Sequence, residues 1–320
     1  PAESTVDKIG ELDHWIGECF RDAALELLAR TGTDAAFVTA IGSHGQTLRH
    51  QPDTKRPFTL QIGDPNIIVA GTGIATVADF RRRDIAAGGQ GAPLAPAFHH
   101  WLFSGSNESI CVLNIGGIAN VTILPGNDEH VTGFDTGPGN TLMDAWALQE
   151  HGVNFDDNGA WAQSGKISEA LLSAMLSDSF FGAPAPKSTG FEYFNVAWIE
   201  RCLTASAETG IAAADIQATL AELSARTIAS AILGAADNIA EVLVCGGGVH
   251  NAHLMQRLRH HLPGVLVNST ETRGLHPDWV EAAAFAWLAK RHLEGKPGNV
   301  PTVTGASSPE ILGALYPGDR

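Results

Sequence analysis

The chain has 320 residues, 44% of them hydrophobic and 17% charged, enough apolar content to bury a large core in two domains or one large one. Its formal net charge of -15, with Arg81, Arg82 and Arg83 as the one basic cluster, excludes the basic stripe that nucleic acid or an acidic membrane surface requires. No apolar run reaches the roughly 18 residues of a membrane span, no cleavable leader is visible, and four scattered cysteines lack C-x-x-C spacing, so a soluble protein of a reducing compartment, by default the cytoplasm, is expected.

Strand and helix signals alternate along the chain, the mark of α/β architecture. Leu12, Trp15, Ile16, Cys19, Phe20, Ala23 and Leu27 fall on one helical face, and Ala36 to Ile41 then reads as a buried strand. The stretch from Gly42 to Pro93 is rich in loop signals and precedes a helix from about Pro93 to Phe103. A hairpin-like unit follows: Cys111 to Ile115, the turn Gly116-Gly117, then Asn120 to Leu124, with a further strand before Asp135. After a helical pair and a loop from Phe181 to Asn195, a long helix is expected from about Ala212 to Ile239, feeding a strand Val242 to Cys245. Gly246-Gly247-Gly248 closes that strand. Asn251 to His261 and Pro277 to Leu293 read as helices, and the tail from Gly295 reads as surface loop until Ile311 to Tyr316.

The segment TGFDTGPGNTLMDAW, Thr132 to Trp146, holds the first candidate for chemistry. Gly137, Pro138 and Gly139 allow a tight reversal, and Asn140 can cap the helix that follows, which leaves Asp135 exposed at a strand's carboxyl end. Ligands gather at such ends in α/β folds, so a carboxylate there can meet a substrate proton. An aspartate bonding its own turn is the alternative. Two strand-to-glycine turns, Asn114-Ile115-Gly116-Gly117 and Gly246-Gly247-Gly248-Val249-His250-Asn251, can bring bare N–H groups to phosphate oxygens, although bulges and plain turns use glycine as freely. Other motifs fail. Gly159 to Ile167 has one residue too many between its glycines for a phosphate loop, and Ile167 stands where magnesium needs a hydroxyl. His99-His100 and His260-His261 lack the i, i+4 spacing of a zinc site, and there is no G-x-S-x-G elbow.

NIGGIANVT (Asn114 to Thr122), GFDTGPGN (Gly133 to Asn140), VCGGGVHN (Val244 to Asn251) and EAAAFAWLA (Glu281 to Ala289), with SHGQT (Ser43 to Thr47) and DIAAGGQGAPL (Asp84 to Leu94), resemble the anhydro-N-acetylmuramic acid kinases of the sugar kinase, Hsp70 and actin superfamily. The resemblance runs from about Thr39 to Tyr316. It implies two ribonuclease-H-like domains with mixed sheets flanked by helices and a nucleotide cleft, domain I being 1–108 plus 283–320 and domain II 109–282. The family opens with a strand and a Gly/Ser-rich phosphate-1 loop that have no counterpart before the first helix here, so incomplete coverage of a longer chain is expected.

The resemblance implies an ATP-dependent reaction. Water opens the 1,6-anhydro bridge while O6 is phosphorylated, giving N-acetylmuramic acid 6-phosphate and ADP. Asp135 matches the family's catalytic base, and Glu281 matches a carboxylate near the sugar, although a helix N-terminal charge favoured by the dipole is its other reading. His44, Gln46 and an arginine near Arg82 are sugar-side candidates. Asn114, Gly116, Gly117, Gly137, Gly139, Asn140, Gly246, Gly247, Gly248 and Asn251 are assigned to the nucleotide. Magnesium is implied by ATP rather than by a visible ligand set, and the family tends toward homodimers. Two other functions stay open: a sugar-binding regulator on the same fold, and a glycoside hydrolase using Asp135 and Glu281 without ATP.

Overall fold

The computed structural model describes residues 5–105, 108–126, 131–185, 187–236 and 238–318. The chain divides into two compact units, Pro1–Phe98 with Glu281–Arg320, and His99–Val280. The division falls inside one helix and at the start of another.

Helix α1 (Val6–Thr31) starts at Thr5, whose side chain accepts from the Lys8 N–H, and ends at Gly32 in the left-handed region. Its packed face keeps only Ile16 and Phe20 of the stripe read from the sequence. Gly17 lies against the backbone of Asp64, and Ile16 and Phe20 close on Gly63, while Leu12, Trp15 and Leu27 stay exposed. The expected strand over Ala36 to Ile41 shrinks to β1 (Ile41–Gly42), because Ala35–Phe37 turn as a short 3-10 helix with Phe37 85% exposed. The loop-rich stretch holds five more elements: the antiparallel pair β2 (Gln46–Gln51) and β3 (Phe58–Ile62), helix α2 (Pro65–Thr72), strand β4 (Thr76–Ala78) and helix α3 (Arg82–Ala86). Helix α4 (Ala95–Phe103) follows.

The second unit is built on one sheet. Strands β5 (Ser109–Ile115), β6 (Ile118–Leu124) and β7 (Thr132–Pro138) form an antiparallel meander, followed by helices α5 (Thr141–His151), α6 (Ala160–Ser164), α7 (Glu169–Leu176), α8 (Ser179–Gly182), α9 (Val196–Ser206) and α10 (Ala213–Ala235). Strand β8 (Ile239–Cys245) runs parallel to β5, and after α11 (Ala252–His261) strand β9 (Leu266–Ser269) runs parallel to β8. The order β7-β6-β5-β8-β9 is the 3-2-1-4-5 order of a ribonuclease-H-like sheet, as expected. The continuous apolar runs of β5 and β8 mark strands buried on both faces, and Leu113, Ile115, Val242 and Val244 join Leu142, Trp146, Leu220 and Ile228 in the core.

The chain then returns to the first unit through α12 (Val280–Leu293), α13 (Pro301–Thr304) and β10 (Ala314–Tyr316). Strand β4 pairs in parallel with β1 and antiparallel with β10. The tail expected on the surface is partly interior. Asp84, fully buried, accepts from the Gly91 N–H (2.7 Å), Asn299 Nδ2 (2.7 Å) and Thr304 Oγ1 (2.7 Å). A buried carboxylate needs such donors, and the polar tail supplies two of them.

Candidate functional site

Strands β5, β7 and β8 point the same way, so their carboxyl ends lie on one edge of the sheet, where α/β folds bind ligands. The turns that leave them interlock. Gly139 N–H and Thr141 N–H donate to Gly117 O (2.8 and 3.0 Å), and Asn140 N–H donates to Gly116 O (2.9 Å). Asn140 does stand at the helix N-terminus, but its side chain does not cap α5; its Nδ2 donates to Ile115 O (3.2 Å) and ties the helix to the hairpin turn. Asn251 does cap, with Oδ1 accepting from the Leu254 N–H (2.9 Å).

The glycines of these turns fall into two groups. A Cβ on Gly139 would lie 2.4 Å from Gly116 O, one on Gly246 would meet Asn114 Oδ1, and one on Gly248 would meet Ile115 Cγ2. Gly137 holds φ +139 with Phe181 against it, and Gly246 holds φ +79. The protein itself demands glycine there. Gly116, Gly117 and Gly247 are different. None has a positive φ, and a Cβ on each would find its nearest neighbour at 3.5, 3.7 and 4.0 Å. Neither packing nor backbone requires glycine at these three positions, and the bare backbone there leaves room for close approach of a ligand.

Asp135 sits within β7, three residues before its end, rather than exposed at the strand terminus. It pairs with Asn120 next to a register shift that leaves Thr136 as the extra residue, a bulge of the kind that re-aims a neighbouring side chain. Thr132, Phe134 and Thr136 line a cavity of about 510 Å³ under Phe181 and Lys187, so Asp135 addresses the opposite face of the strand. Segment 187–189 covers this edge: Asp135 N–H donates to Lys187 O (3.0 Å), and Thr189 N–H donates to Asp135 Oδ2 (2.9 Å). Burial raises the Asp135 pKa to about 6, opposed by the Thr189 N–H. The loop reading of Phe181 to Asn195 gave no hint of this contact.

In the first unit, β1 and β4 are parallel, so Ser43-His44 and Asp79 leave the sheet side by side. They line a cavity of about 490 Å³ with Asp13, Gln61, Asp64 and Arg82. Arg81 Nε donates to His44 Nε2 (2.9 Å) and its Nη1 to Gly91 O (2.7 Å). His44 is therefore neutral, with its proton on Nδ1. Burial, and then the Arg81 charge, pull its pKa down to about 4. Burial lowers the Arg81 pKa as well, opposed by nearby Glu281 and Asp84. Of the three adjacent arginines, Arg81 is thus the inward one that joins His44 and the charge of Glu281. Arg82 lies on the cavity rim, its side chain 55% exposed. Gln46 starts β2, exposed and outside the cavity lining. His99 and His261 are held by Thr122 and Glu222, and among the described residues no cluster of three or more His, Cys, Asp or Glu could hold a metal.

A family model described as anhydro-N-acetylmuramic acid kinase matches residues 1–318. The anhydro-N-acetylmuramic acid kinase of Shewanella halifaxensis (strain HAW-EB4) is 53% identical over 320 residues, 100% of this chain and 86% of that protein. The protein of the same name from Coxiella burnetii (strain RSA 493 / Nine Mile phase I) is 51% identical over 319 residues, 99% of this chain and 85% of its own length. That of Xanthomonas campestris pv. campestris (strain 8004) is 52% identical over 315 residues, with 98% and 82% covered.

Proposed function

Because the chain belongs to the anhydro-N-acetylmuramic acid kinase family, we propose that it uses ATP and water to open the 1,6-anhydro ring of anhydro-N-acetylmuramic acid and phosphorylate O6. The products are N-acetylmuramic acid 6-phosphate and ADP, a step of cell-wall recycling. The observation that carries the nucleotide half is the trio Gly116, Gly117 and Gly247, glycines that the protein's own packing does not need. Bare N–H groups at the carboxyl ends of β5 and β8 suit phosphate oxygens in an otherwise acidic chain.

Asp135 is the base of this reading. With a pKa of about 6 it is ionised at neutral pH yet basic enough to take a proton. It removes a proton from water as the water oxygen bonds to C1. The C1–O6 bond breaks, O6 takes the γ-phosphoryl group, and ADP leaves with the oxygen that joined the β- and γ-phosphorus atoms. Charge on the departing O6 is thus quenched by phosphorus, where an inverting glycosidase would use a second carboxylic acid. His44, neutral and held by Arg81, with Glu281 and Arg82, forms the sugar side, and the arginines suit the lactyl carboxylate. Magnesium on the nucleotide, a homodimer and a cytoplasmic location belong to the same proposal on the strength of the family resemblance. Among the described residues no helix is long and apolar enough to cross a membrane.

The test is ADP release on mixing the protein with magnesium, ATP and anhydro-N-acetylmuramic acid, against controls lacking the sugar. Sugar-dependent ADP with a phosphorylated muramic product is the expected result. Binding of the sugar without ADP favours the regulator, and ring opening without ATP favours the hydrolase.

A further inference from the structure

Three carboxylates line the 490 Å³ cavity of the first unit, and two of them are committed to the fold. Asp13 Oδ1 accepts from the Gly63 N–H (2.6 Å), and Asp64 Oδ1 caps α2 through the Asn66 N–H (2.8 Å). Asp79 is not committed. Among the described residues its carboxylate meets only Arg82 Nε, at 3.5 Å, outside good hydrogen-bonding geometry. Yet its backbone holds φ +57, a region that glycine occupies freely and other residues occupy at a cost. This chain places glycine at most of its other positive-φ positions. A side chain with one loose ion pair, standing where glycine would be easier, is available for something other than the fold.

The surroundings indicate the chemistry. Asp79 leaves the carboxyl end of β4 beside Ser43 and His44. On the same wall Gln61 Oε1 is buried without a hydrogen-bond partner, while its Nε2 is used by Thr47 and Thr59. The cavity therefore offers two uncommitted acceptors, the Asp79 carboxylate and Gln61 Oε1, beside the Arg82 cation on its rim. We propose that Asp79 is a substrate-recognition carboxylate, accepting a hydrogen bond from a neutral donor of the sugar, its free hydroxyl or acetamido N–H, while Arg82 faces the lactyl carboxylate. This rests on the sugar-kinase reading above. Burial raises the Asp79 pKa, opposed by Arg82, in keeping with a carboxylate that has no donor of its own.

The test compares Asp79→Asn and Asp79→Gly with the wild type in sugar-dependent ADP release, direct sugar binding by calorimetry, and thermal unfolding. Both substitutions fit a positive φ, and glycine relieves it. We expect KM for the sugar to rise about tenfold or more in both variants, the usual cost of losing a charged hydrogen bond. KM for ATP is unchanged, and Asp79→Gly melts at or above the wild-type temperature. Wild-type KM for the sugar in either variant, or a lower melting temperature for Asp79→Gly, overturns the inference and leaves the kinase reading intact. Failure of the wild type itself to bind or turn over the sugar overturns both.

Discussion

At Asp135 the requirements of chemistry and of folding conflict. Its folded pKa of about 6 stands above the ordinary 3.8 because of burial. The folded chain therefore keeps a proton between those values that the unfolded chain has lost, and stability falls as pH rises through that window. The penalty is absent below pH 3.8 and complete above about 6. Asp135→Asn removes it while still accepting from the Thr189 N–H, so the variant should be about 1–2 kcal/mol more stable at pH 7.5, after allowance for screening, and no more stable at pH 3.8. Turnover should be abolished. Melting curves at the two pH values beside an ADP assay check both halves. A wild-type kcat falling about tenfold per unit below pH 6 would agree with a base that must be ionised, whereas a flat profile down to pH 5 would remove Asp135 from that role. His44, with a pKa near 4, adds no second limb in that range. The inward arginine was not legible in the sequence. Three consecutive arginines look alike until one sees that α3 begins at Arg82 and leaves Arg81 facing His44.

Among the elements, the glycine turns separate two demands that a sequence writes with the same letter. Gly139→Ala and Gly248→Ala force a Cβ into Gly116 O and Ile115 and should each cost about 2–3 kcal/mol, read from denaturant unfolding. Gly116→Ala and Gly247→Ala should leave unfolding unchanged within about 0.5–1 kcal/mol yet weaken ATP binding, measured by nucleotide titration. Unaltered ATP affinity in the second pair would detach these turns from the nucleotide. The strands flanking the turns were legible because β5 and β8 each hold an unbroken apolar run, residues 110–113 and 242–245. Strand β2 was not, since QTLRHQ alternates nothing and lies half in solvent. Asn140 was placed rightly at a helix start for a reason the structure replaces: its amide binds Ile115 O, a contact between segments that no local pattern records.

For the whole molecule, the continuous apolar strands and their glycine turns announced the sheet of His99–Val280, which is built from one stretch of chain. The first unit was harder to read because its parts come from both ends of the sequence. The apolar residues of α1 marked a helix but only part of its packed side, Ile16 and Phe20, because apolar side chains occupy a wide arc and Gly17, rather than a large residue, packs against the Asp64 backbone. The tail looked like loop because its buried residues are scattered and two of them, Asn299 and Thr304, are polar and answer to Asp84.

The three bonds at Asp84 also set an order of events during synthesis. Asp84 and Asn299 are 215 positions apart, so at roughly 5–20 residues per second the ribosome needs about 10–40 s to deliver the partner of a carboxylate already translated. In that interval the contiguous unit can close its sheet while the first segment waits, with Val77 and Phe80, which Leu315 and Phe285 later meet, uncovered. A chain stopped after Leu293 should then keep a protease-resistant 99–280 core and lose residues 5–98 to digestion, whereas protection of both would show that Asp84 tolerates the absence of its late partners. A nascent polypeptide in this state should be a substrate for chaperones until α13 and β10 emerge.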